Sequence, residues 1–227
     1  MATAPDIFTE AQTAPEFKAY MLRTCDADMS SYNGFIWPTV GHVAAPDWDA
    51  REVCGYGLHG FLWGVGNGGL ASWHPDAKWL VVGINEWVDL DGKVKAPEAW
   101  VVHCGDRASA TAHIQALGAR GAVVGGTATA GDSGTATAGD RGTATAGDSG
   151  TATAGYSGTA TAGDSGTATA GYRGTATAGY RGTIIARFYD YKNERWRFAI
   201  AYTGEDGIKP NTPYRLNDEH KFVEVSA

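Results

Sequence analysis

The sequence predicts a mainly β fold, a β-solenoid with about sixteen residues (two octads) per coil, capped by an N-terminal α/β domain and a C-terminal β hairpin element. Three observations carry this expectation. Seven octads of the form Gly-Thr-Ala-Thr-Ala-Gly-Asp/Tyr-Ser/Arg run unbroken from Gly126 to Arg181. Seven of the eight tryptophans precede the repeat, so the bulky core formers are concentrated on that side. Behind the repeat, "ARFYDY" and "RWRFAIAY" have strand character around a Lys192-Asn193-Glu194 turn. The chain therefore divides into an aromatic-rich cap (1–125), the repeat (126–181) and a second cap (182–227).

In the first segment, a loose Ala/Thr/Pro start leads into "PEFKAYMLRTCDA", which suits a short helix or a strand. "GFIWPTVG" then breaks at Pro38 and Gly41. "KWLVVGINEWVDLDGKV" reads as a strand followed by a turn at Asp91-Gly92, and "EAWVVHCG" as a second strand. In "DRASATAHIQALGARG" the Ala, Ile and Leu spacing suits one helix ended by Gly118 or Gly121.

Within each octad, Thr-Ala-Thr-Ala alternates with period two, which sends both threonines to one face and both alanines to the other. Gly-Asp/Tyr-Ser/Arg-Gly supplies the turn, with glycine expected to carry the positive φ. Volume sets the coil. Three octads would enclose a triangular lumen that alanine methyls cannot fill, whereas two give a flattened coil whose sheets lie closer than the ~10 Å usual for stacked sheets. Stacking at this interval puts Asp132, Asp148 and Asp164 on one edge with Tyr180, and Asp140, Tyr156 and Tyr172 on the other. Such a stack needs caps over its open ends. After the last octad, Ile184, Ile185 and Phe188 are expected to take over alanine positions, and "KFVEV" reads as a final strand.

A net charge of −7 with no clustered Lys or Arg argues against a nucleic-acid partner. Three cysteines (Cys25, Cys54, Cys104) form no paired framework and point to free thiols in a reducing compartment. The start lacks a basic and apolar leader, and no long apolar run follows, so the expectation is a cytoplasmic protein without a membrane partner.

Several stretches carry a resemblance. "MLRTCDADMSSYNGFIWP", "CGYGLHGFLWG", "DAKWLVVGINEWVDLDGKVKAPEAWVVHCGDR" and "YTGEDGIKPNTPYRL" resemble a family of uncharacterised bacterial and bacteriophage proteins that place variable numbers of GTATAGD-type octads between the same flanks. That resemblance implies architecture and no activity. The octad itself resembles the repeat of bacterial ice-nucleation proteins, which implies a sixteen-residue β-solenoid with Thr-x-Thr rows and a stacked tyrosine edge. Four of the seven octads here carry Asp where Tyr would stack.

The threonine array is the regular surface. Thr127, Thr129, Thr143, Thr145, Thr159, Thr161, Thr175 and Thr177 are expected on one face as a candidate surface for ice or ordered water, with Thr135, Thr137, Thr151, Thr153, Thr167 and Thr169 on the opposite face. The alternative is that threonine is simply a soluble β-former. Tyr156 and Tyr172 form a candidate self-association edge for a homodimer. The Asp edges lack the Gly-Gly-x-Gly-x-Asp pattern of calcium solenoids, so turn capping is expected and no metal or cofactor. Cys54 with His59, or His103 with Cys104, could be drawn as a thiol-imidazole pair, and "GVGNGG" (Gly64 to Gly69) lacks the rest of a phosphate loop. Structural roles are the expectation for these. The reading is a non-enzymatic spacer, assembly or surface-interaction module, with ice binding second and an activity in the first cap third.

Overall fold

A computed structural model describes residues 16–225, and the first fifteen residues, with their loose Ala/Thr/Pro start, lie outside the described part. Among the described residues, seven strands of the N-terminal segment form one antiparallel sheet: β1 (Ala19–Cys25), β2 (Gly41–Ala44), β3 (Leu58–Leu62), β4 (Lys78–Ile84), β5 (Val88–Asp89), β6 (Val94–Ala96) and β7 (Glu98–Gly105), in the order β2-β7-β4-β1-β3-β6-β5. The segment left open between helix and strand is β1. The Asp91-Gly92 turn joins β5 to β6 with both residues at positive φ (56° and 86°), as a tight hairpin turn demands. Helix α1 (Arg107–Ala116) starts where the Asp106 carboxylate accepts the Ser109 N–H (2.8 Å) and stops before Gly118, whose φ is +114°. Ala110 and Ile114, one turn apart, lie buried with Leu22, Val81 and Trp79; Met21, Leu80, Val82 and Trp37 fill a second core on the other side. β4 is buried from Trp79 to Ile84 because both of its faces are covered.

The repeat then folds as the volume argument requires. Each Thr-Ala-Thr-Ala tetrapeptide is a strand: β8 (Thr127–Ala130), β9 (Thr135–Ala138), β10 (Thr143–Ala146), β11 (Thr151–Ala154), β12 (Thr159–Ala162), β13 (Thr167–Ala170) and β14 (Thr175–Ala178). Thr143 pairs with Thr127 and Thr159 with Thr143 in parallel register on one sheet, while Thr151 pairs with Thr135 and Thr167 with Thr151 on the other, so one coil is sixteen residues. Ala144, Ala152, Ala160, Ala168 and Ala176 have no exposed surface, and Cα atoms of successive strands on the two sheets come within 8 Å. An inward methyl contributes only about 0.8 kcal/mol. Each octad also gains several backbone bonds to the coil below, among them Thr143 N–H to the Gly126 carbonyl and Gly147 N–H to the Ala130 carbonyl, each worth a net ~1 kcal/mol, so the ladders outweigh the core.

The turns depart from expectation. Positive φ falls on the Ser or Arg position, at Ser133, Arg141, Ser149, Ser157, Ser165, Arg173 and Arg181 (51° to 60°), and none of the repeat's glycines from Gly131 to Gly182 adopts it. Glycine is required for closeness instead. A Cβ on Gly158 would stand 2.9 Å from both the Ala154 methyl and the Gly142 carbonyl oxygen of the coil below.

The C-terminal segment continues the stack. β15 (Thr183–Asp190) pairs in parallel with β13, and β16 (Arg195–Tyr202) pairs with β15 as the expected hairpin. Ile184 takes an alanine position and is fully buried, but Ile185 pairs with Thr169 and so replaces an outward threonine, while Phe188 lies beyond the tetrapeptide. A strand the sequence reading passed over, β17 (Tyr214–Leu216), docks on β14 at Ala176 and pairs with β18 (Phe222–Glu224), the final strand expected in "KFVEV". Buried Thr203 closes the top coil, its hydroxyl donating to the Gly179 carbonyl (2.7 Å) and accepting the Gly182 N–H (2.9 Å). At the bottom coil, where β8 and β9 are the last strands of their sheets, Val124 N–H donates to the Gly64 carbonyl and Gly139 N–H to the Val123 carbonyl, which ties the N-terminal segment to the stack.

Candidate surface-interaction faces of the solenoid

Outward threonines follow from inward alanines, because successive strand residues point to opposite faces. On the sheet containing β8, β10, β12 and β14, the rows Thr127/Thr129, Thr143/Thr145, Thr159/Thr161 and Thr175/Thr177 stack in register. Strand geometry sets ~7 Å between the two threonines of a row and ~4.8 Å between rows. The opposite sheet stacks Thr135/Thr137, Thr151/Thr153 and Thr167/Thr169, then passes to Thr183/Ile185. Exposure falls towards the C-terminal coils: Thr127 and Thr129 are exposed, Thr175 and Thr177 half-buried.

The turn edges carry a second kind of order. Asp132 Oδ1 accepts the Asp148 N–H (3.1 Å), Asp148 the Asp164 N–H (2.8 Å) and Asp164 the Tyr180 N–H (2.8 Å), while on the other edge Asp140 accepts the Tyr156 N–H (2.9 Å). Each aspartate thus ties its own coil to the next. Among the described residues no group of three His, Cys, Asp or Glu side chains could hold a metal ion.

At Tyr156 and Tyr172, ring contact takes over. Tyr156 and Tyr172 lie 6.0 Å apart between centroids, tilted by 43°, and Tyr172 meets Trp196 of β16 edge-on at 5.6 Å. Arg173 lies over the Tyr172 ring (5.4 Å), and the nearby Tyr172 and Tyr156 side chains raise its already high pKa. β16 ends its sheet, and its outward residues Trp196, Phe198, Ile200 and Tyr202 are between 45% and 57% exposed. The sequence reading did not single out this ridge. The alternation of large residues with Arg and Ala was the available signal, but it suggests a buried apolar face. The methyl-width interior reverses this, with Ala201 packing against the alanine core and the bulky residues turned outward.

The N-terminal candidates are separated. No hydrogen bond joins Cys54 to His59: Cys54 accepts from Lys93 Nζ (3.0 Å), which lowers its thiol pKa, and His59 Nδ1 is buried without a partner. His103 stacks on His113 (4.8 Å) and is within 3.1 Å of the Ser109 hydroxyl, while Cys104 lies 3.8 Å from the Met29 sulfur. Burial raises the pKa of Cys104 and lifts Cys25 to about 11. The Gly64 to Gly69 loop serves the junction: Gly68 N–H donates to Asp140 Oδ2 (3.0 Å), and a Cβ on Gly68 would collide with the Asp140 side chain.

With a sixteen-residue coil, in-register Thr-Ala-Thr rows and a tyrosine edge in place, the comparison with known proteins is direct. The chain is similar to ice nucleation proteins. It is 43% identical over 103 residues to one from Pseudomonas syringae, 39% identical over 103 residues to one from Xanthomonas campestris pv. translucens, and 35% identical over 99 residues to ice nucleation protein InaU of Pantoea ananas. These matches cover 42% to 44% of this chain but only 7% to 10% of each ice nucleation protein. No family model and no solved structure matches. Among the described residues no helix is long and apolar enough to cross a membrane.

Proposed function

We propose that the protein is a non-enzymatic surface-interaction module whose threonine rows order water and engage ice. The observation that carries this reading is the register of the sheet containing β8 to β14, where four identical Thr-x-Thr rows repeat without slip on one face. Methyl and hydroxyl groups on a rigid two-dimensional spacing suit an ordered water layer, and the similarity to ice nucleation proteins favours ice over any other repetitive surface. Four rows are few, so the expected effect of a single chain is shaping or slowing of ice growth, with strong nucleation reserved for assemblies. Ice-crystal shaping and droplet freezing by the wild type and by Thr143→Tyr test the reading. Ice growth unchanged at high protein concentration would leave the rows as scaffold.

A second reading is self-assembly, favoured by the continuous aromatic edge from Tyr156 through Tyr172 to Trp196. Such a strip suits a two-fold contact in which each copy offers the same surface. Sedimentation of the wild type against the Tyr156→Ser/Tyr172→Ser double variant tests it. The expected result is a dimer that dissociates in the variant, and a wild type that stays monomeric at high concentration excludes it.

A further inference from the structure

The N-terminal sheet carries a cleft of about 910 Å3, remote in sequence from the threonine faces and of the size at which small-molecule sites occur. Its wall includes Arg23 of β1, whose guanidinium lies 4.4 Å over the Trp37 ring. One Arg23 amino group donates to the His59 carbonyl (2.8 Å), but Nε is buried without a partner, and no ion pair among the described residues includes this side chain. Burial lowers its pKa to about 10.

Lys93 reaches the same cleft beside Cys54. Behind the wall, Lys95 is completely buried and donates only to the Val53 and Gly55 carbonyls, which holds the Cys54 loop in place. Asp47 is the one carboxylate on the lining among the described residues. Cations therefore gather in one concavity of a chain whose net charge is −7. A guanidinium largely withdrawn from water with no counter-charge is unfavourable, and a low-dielectric cleft concentrates its field on whatever enters. The remedy that the protein does not supply from its own acidic residues is an anion from solution. Guanidinium groups favour carboxylate and phosphate oxygens, and the neighbouring aromatic rings favour a flat apolar body.

We propose that this cleft binds a small organic anion, with a carboxylate or phosphate head on Arg23 and Lys93 and a planar apolar body against the exposed Tyr32 and Tyr56 rings of the lining. The site is independent of the ice reading.

The full chain is titrated calorimetrically with benzoate, phenyl phosphate, inorganic phosphate and benzyl alcohol. In parallel, the rate of Cys54 alkylation by iodoacetamide is followed by mass spectrometry with and without each probe. Benzoate or phenyl phosphate is expected to release binding heat and to slow Cys54 alkylation, and the one that binds more tightly names the head group. Benzyl alcohol, which lacks the charge, should do neither. Lys93→Gln should weaken the anion about tenfold, the worth of one charge-assisted hydrogen bond. Because the substitution also changes the thiol, protection is compared as a ratio within each variant. Lys93 is half-buried and makes no ion pair, so this variant should fold where an Arg23 substitution could fail. Absence of heat and protection with both organic anions, equal binding of benzyl alcohol, or an unweakened Lys93→Gln variant would overturn the proposal.

Discussion

Asp140 Oδ1 accepts the backbone N–H of Tyr156, sixteen residues on and one coil above, at 2.9 Å. Tyr156 has no carboxylate to offer Tyr172, and the two rings meet at 6.0 Å instead. The seventh octad position thus chooses between two ways of fastening coils, a carboxylate accepting from the backbone or a ring against a ring. The choice is local, since the coil geometry is the same around both.

Asp148 gives the cleanest test of the carboxylate mode, because it both donates its N–H to Asp132 and accepts from Asp164. Asp148→Ala removes only the acceptance and should cost about 1 kcal/mol, the net value of one such bond. Asp148→Asn keeps an oxygen in the same place and should lose less than half of that. Chemical denaturation of the three proteins separates them, and equal losses would mean that the charge matters rather than the bond.

The interior should resist enlargement. Ala152 is fully buried between the sheets, so Ala152→Leu forces three more carbons into a methyl-width gap and should cost ~1–3 kcal/mol or more. Thr153 faces outward, and Thr153→Val should move stability by less than about 0.5 kcal/mol. Melting temperatures decide the matter. Equal tolerance at the two positions would contradict the assigned faces.

Acid should weaken the N-terminal unit through His59. Burial first, and then the charges of Lys93, Arg23 and Lys95, pull the pKa of His59 down to about 4. In the unfolded chain it lies at about 6.5. Between these values the unfolded state binds the proton and the folded state does not, so the contribution of neutral His59 is complete above about pH 6.5 and is lost as pH falls through about 4. Thermal unfolding followed by tryptophan fluorescence should show this loss, and His59→Gln should flatten it. A variant with the wild-type pH slope would assign the acid sensitivity to other groups.

Ice activity and stability should separate on the threonine face. Thr143 is exposed in the second row of its sheet, so Thr143→Tyr interrupts the array without entering the core. The same holds for Thr159→Tyr one row further. Each should abolish most of any ice shaping or freezing effect while stability changes by less than about 0.5 kcal/mol. Full activity in both variants would remove these rows from the mechanism.

Much of this architecture is determined by residue size and period alone. An eight-residue unit with alanine as its inward residue can close only a two-sided interior, so the sixteen-residue coil, the threonine faces and the two turn edges follow without tertiary information. Local signals likewise set the Asp91-Gly92 turn, β7 and the ends of α1, because turn and cap chemistry acts over a few residues. Other features needed the folded chain. Serine and arginine take the left-handed turn position because the neighbouring glycines are held by the backbone of the adjacent coil, a contact between residues sixteen apart. The outward ridge of β16 reverses the usual reading of its alternation, since the space beneath it admits only methyl groups. Arg23 and Lys95 each stand in an apolar strand context, which hints at burial, but their approach to Lys93, His59 and Cys54 depends on β3 lying between β1 and β6 in the sheet. Strand order is set by long-range packing, and a charge cluster assembled across it has no signature in any one stretch of sequence.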